Sequence, residues 1–67
     1  MKPHEERVIA ERAELHEKLD KLNEFIRSPT FNETVPDMND RRLLLQQREA
    51  MEEYEDILAA RIRRFGT

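Results

Sequence analysis

The sequence predicts an all-α fold, an antiparallel two-helix hairpin that assembles with copies of itself into a homo-oligomeric bundle. Three observations predict it. Apolar residues recur at heptad spacing in two long segments, which is the pattern of packed helices. A stretch holding Pro29 and Pro36 separates those segments and forbids one continuous helix. The chain has 67 residues, no cysteine, one glycine and 40% charged residues, a composition that suits long helices with a small core. A chain this short hides only about 60% of its unfolded surface. Disulfides and thiolate metal sites are excluded, so self-association is the remaining way to enlarge the core.

The first helix is expected over about residues 3–27. Pro3 suits a first turn, where a missing N–H costs nothing. Glu5 and Glu6 sit where the helix dipole favours negative charge. Val8, Leu15, Leu19, Leu22 and Ile26 form one seam, with Arg12 in its missing position and Phe25 flanking its end. Residues 28–38 are expected to form a structured connection. Ser28 and Pro29 start a short extra turn, and Pro36 pushes Val35 toward extended geometry. Phe31, Val35 and Met38 are too apolar for a free linker and are expected to pack on the helix ends.

The second helix is expected over about residues 38–65, with Asp37 or Asn39 as N-cap and Gly66 as the stop. It carries two stripes. One is Leu44, Met51, Tyr54, Leu58, Ile62 and Phe65; the other is Leu43, Ala50 and Ile57. Together they span about 140° of the helix, more than one neighbouring helix covers. A symmetric dimer forming a four-helix bundle is the simplest way to bury the remainder. The core and oligomer residues are therefore Leu15, Leu19, Leu22, Phe25, Ile26, Leu43, Leu44, Met51, Tyr54, Ile57, Leu58 and Ile62. All fall in a single domain, residues 1–67.

Composition also narrows function. The net charge is −3, which attracts neither nucleic acid polymers nor acidic membranes. No apolar run approaches the roughly 20 residues of a membrane span, and the N-terminus lacks the apolar core of a signal peptide. A cytoplasmic protein is expected. His4 and His16, the only histidines, lack metal-ligand spacing and are expected at the surface. The acidic run Glu49, Glu52, Glu53, Glu55 and Asp56 resembles a solvated helix face more than a cation site. No serine has a histidine and an acid spaced to activate it, and no glycine-rich loop cradles phosphate. No catalytic residue, metal or cofactor is expected, and the chain is not expected to be an enzyme.

Three features point to a ligand. Arg41 and Arg42 open the second helix, where the dipole prefers acids. Guanidinium groups beside free N–H groups suit an anion, although ion pairs with Asp37, Asp40 or a neighbouring subunit are the more ordinary explanation. Ser28 and Thr30 offer hydroxyls and Phe31 a ring, for a ligand or simply for a turn and a core plug. Arg61, Arg63 and Arg64 suit phosphates or the dipole of the last turn.

The ordered pattern Leu19-x-x-Leu22-x-x-Phe25-Ile26-x-Ser28-x-x-Phe31, followed by Leu43-Leu44-x-x-Gln47-x-x-x-Met51-x-x-Tyr54-x-x-Ile57-Leu58-x-x-Arg61-Ile62, resembles short accessory proteins encoded by tailed bacteriophages, including crAss-like phages. The resemblance covers roughly residues 5–63 and implies a phage origin, an infected bacterial host and a helical hairpin. A looser, architectural likeness is to the phage anti-CBASS sponge that sequesters cyclic oligonucleotide signals. The Gly-Tyr-Arg segment of that sponge is missing, so none of its ligand residues transfers.

These likenesses imply a non-catalytic homo-oligomer that sequesters a nucleotide-type immune signal. Its pockets would lie between subunits, with Arg41, Arg42 and Lys21 on phosphates, Phe31 or Tyr54 stacked on a base, and Ser28 and Thr30 beside them. The competing expectation is a protein-binding module that inhibits or adapts a host or phage protein.

Overall fold

The structure is a computed structural model that describes residues 2–66. Its elements are α1 (Pro3–Arg27), α2 (Phe31–Thr34) and α3 (Met38–Arg63). Helices α1 and α3 pack along each other as a hairpin, and α2 is one turn inside the connection. The result is a rod with extents of 47 × 15 × 14 Å.

Local chemistry explains each boundary. Lys2 caps α1 in extended geometry, and its backbone N–H donates to Glu5 Oε1 at 3.1 Å. Pro3 then takes the first helical position. Asp37 caps α3 by accepting the Asn39 N–H at 2.7 Å. That helix stops at Arg63, two residues short of the expected end, in a tightened turn where the Arg64 N–H reaches Arg61 O and Ile62 O. Gly66 follows at φ 84°, a left-handed geometry that glycine adopts without strain.

The core is small. Val8, Leu15, Leu19, Phe31 and Leu58 are its buried apolar residues, and Leu58 alone has no exposed surface. Met51, Ile62 and Phe65 pack partly buried against Val8, Leu15 and Leu58. The seam of α1 thus meets the α3 stripe that runs through Leu58. Leu22, Ile26 and Leu44 are half-buried toward the connection.

Four residues expected in the core or interface lie outside the hairpin core. Leu43 is 60% exposed, Ile57 54%, Tyr54 42% and Phe25 37%. The physical reason is coverage. Helix α1 presents one seam and cannot cover the whole apolar arc of α3, which leaves Leu43 and Ile57 outside together with Tyr54, expected on the stripe of Leu58; Phe25 lies beside the α1 seam and turns to Phe31 instead.

Candidate functional site

The connection is braced by three sets of contacts. Phe31 is buried and stands edge-on to Phe25, with ring centroids 5.4 Å apart and planes at 89°. The hydroxyls of Ser28 and Thr30 share a hydrogen bond at 3.0 Å, and the Thr30 N–H donates to Ser28 Oγ at 3.3 Å. Arg41 Nε donates to Val35 O at 2.8 Å, and its Nη2 donates to Pro36 O at 2.7 Å. These carbonyls sit around Pro36, where regular helical partners are missing, and the guanidinium fork satisfies both.

This geometry divides the residues singled out from the sequence. Phe31 is a plug, because burial leaves its ring no open face for a base within one hairpin. The Ser28 and Thr30 hydroxyls are engaged in the turn. Arg41 is a brace. Lys21 lies 3.4 Å from Glu17 in an exposed pair one turn back along α1. Arg42, by contrast, is exposed and has no hydrogen bond or ion pair among the described residues. It lines an open groove of about 300 Å³ with Met38, Arg41 and Leu45. Tyr54 is twelve positions further along α3, about 18 Å away at 1.5 Å per residue. One small ligand on one chain does not reach both.

A second groove, of about 410 Å³, lies between the helices toward the open end of the hairpin. Ile9, Ala13 and Ile62 supply its apolar walls; Arg12, His16 and Glu55 supply its polar ones. His16 Nδ1 donates to Glu55 Oε1 at 2.7 Å, and His16 Nε2 lies 3.5 Å from Asp20 Oδ2. The hydrogen bond to Glu55 raises the His16 pKa above its ordinary 6.5, the Asp20 charge adds to this, and Arg12 opposes it. His16 is thus a surface residue with partners. The Asp20 contact at i+4 was legible in the sequence. The Glu55 contact was not, because 39 positions separate the pair.

Among the described residues, no three His, Asp or Glu side chains come together as a metal site. No helix is long and apolar enough to cross a membrane. The comparison that decides the family is with family models, where residues 2–64 match the model named Sequestin. The chain belongs to the Sequestin family. The match spans both long helices and the connection, so Arg42, Tyr54 and both grooves fall within the Sequestin region. The Sequestin name is consistent with a sequestering, binding role. No curated protein and no solved structure matches the chain.

Proposed function

We propose that this protein is a phage-encoded, non-catalytic homo-oligomer that sequesters a small nucleotide-type signal of host defence in the cytoplasm of the infected bacterium. The Sequestin match carries the sequestering part of the reading. The nucleotide part draws on Arg42, a guanidinium left unpaired beside an open groove at the start of α3. A helix start with a free guanidinium favours phosphate, and exposed Tyr54 offers a ring for a base. Arg41 supports the site by fixing the connection, in which the Ser28 and Thr30 hydroxyls are engaged with each other. Sequestration needs affinity and no bond-breaking, which suits a chain without an activated nucleophile.

The test is a thermal-shift screen against cyclic dinucleotides, cyclic trinucleotides and cyclic ADP-ribose isomers. A ligand binding only the native state at 100 times its dissociation constant adds about 2.7 kcal/mol, several degrees for a chain this small. A shift with one nucleotide that disappears in Arg42→Ala is the expected result. Flat melting curves across the panel overturn the reading.

The exposed stripe Leu43, Tyr54 and Ile57 favours a second reading, a module that binds a host or phage protein. A single stoichiometric partner captured from host lysate, together with flat nucleotide curves, would establish that reading instead.

A further inference from the structure

Helix α3 carries a complete second seam that its own hairpin leaves open. Leu43, Gln47, Ala50, Tyr54 and Ile57 follow one another at spacings of four, three, four and three. All five are exposed. This is the repeat of a helix that pairs with another helix.

The charges beside the seam say which helix. Arg41, Arg42 and Arg48 mark the first half of α3, and Glu49, Glu52, Glu53, Glu55 and Asp56 its middle. A second copy laid parallel sets acidic middle level with acidic middle. A second copy laid antiparallel, with the two-fold axis between residues 48 and 49, sets basic start against acidic middle twice over. The same register places Leu43 opposite Tyr54 and Gln47 opposite Ala50. Arg42 and Glu53 are eleven positions apart, three turns, so they share one flank of the seam. In the antiparallel pair each Arg42 lies within about 3 Å along the axis of the partner's Glu53 on that flank. An antiparallel register centred on Glu52 is worse, because it brings both Glu53 side chains to the axis; each register sets one apolar seam residue against a charge, Leu43 against Arg61 there and Ile57 against Asp40 here.

We infer that two copies of this chain pair antiparallel along this α3 seam, so that the Tyr54 of each stands beside the Arg42 of the other. Within one chain those two residues are too far apart to share a small ligand. Across the two-fold axis they form two identical sites, each with a cation from one protomer and a ring from its partner. This rests on the sequestration reading for the ligand but not for the pairing.

Two experiments separate these parts. The chain has no native cysteine, so single Leu43→Cys and Tyr54→Cys variants report position without interference. In this register residue 43 lies directly across the seam from residue 54 of the other copy, whereas like positions are about 16 Å apart along the axis. A disulfide tolerates roughly 4.4–6.8 Å between Cα atoms. Oxidation of the mixture is expected to give the mixed dimer, and oxidation of either variant alone to give none. A wild-type chain that sediments as a monomer at tens of micromolar, or variants that link to themselves, overturns the pairing.

The second experiment mixes Arg42→Ala with Tyr54→Ala and titrates with a cyclic dinucleotide. Each variant alone is expected not to bind. The mixture is expected to regain about a quarter of the wild-type sites, because half the dimers are mixed and each holds one intact site. Mixed-dimer disulfides without regained binding overturn the shared site. Disulfides together with a wild type that binds no cyclic nucleotide support the pairing and remove the sequestration reading.

Discussion

The two sides of α3 have nearly the same apolar repeat and opposite fates. On one side Met51, Leu58 and Ile62 turn into the hairpin, and Leu58 loses all exposure. On the other, Leu43, Tyr54 and Ile57 keep between 42% and 60% of theirs. Intrinsic preference does not separate the two sides, since both use leucine and isoleucine. The partner does. Helix α1 has one seam, from Val8 to Ile26, and it covers one stripe. A periodic pattern therefore says that a face wants a neighbour, without saying whether the neighbour belongs to the same chain.

The sharpest way to break this comparison is to truncate one side at a time. Leu58→Ala removes the single fully buried side chain and is expected to cost about 2–5 kcal/mol. A small core rarely supplies more than about 3–5 kcal/mol, so the helical circular dichroism signal should largely collapse at 25 °C. A variant that keeps its signal and its melting temperature would mean that the core lies elsewhere. Ile57→Ser, one position away on the exposed side, is expected to weaken self-association about tenfold, or about 1.4 kcal/mol. Sedimentation at several concentrations reads this effect, and helix content at high concentration should remain.

The adjacent arginines repeat the contrast at the start of the helix. Arg41→Ala removes two hydrogen bonds to the Val35 and Pro36 carbonyls and is expected to cost about 1 kcal/mol in urea unfolding. Arg42→Ala should stay within about 0.5 kcal/mol of wild type in the monomer. Equal losses from both would show that Arg41 braces nothing.

The smallest expected effect is at the edge between the two sides, where His16 meets Glu55. The folded chain raises the His16 pKa above 6.5, through Glu55 first and then Asp20. The sign follows from linkage. Stability from this contact is present in full below about 6.5 and is lost as pH rises through the folded-state pKa. Melting temperature should fall slightly between about pH 6 and 8 in wild type, and the fall should flatten in His16→Gln. Identical pH profiles would remove any role for the pair in stability.

Much of the fold was legible for a definite reason. Heptad spacing and Pro36 together prescribe two helices and a break, and these signals are local. The site was less legible because its decisive contacts are not local. Nothing in the order Arg41-Arg42 says which guanidinium turns back to the connection; the carbonyls stranded around Pro36 decide it. Phe31 resembled a stacking ring until Phe25 closed over it. His16 and Glu55 meet only because α1 and α3 fold back in one particular register.

The thinness of the core has a further consequence, in gene dosage. One wholly buried leucine gives the lone hairpin little reserve, and the pairing inferred along α3 would couple folding to concentration. With such pairing, most chains would be single at low expression, and doubling the number of chains would raise the number of pairs about fourfold. The capacity of a site shared between two copies would then grow with the square of synthesis.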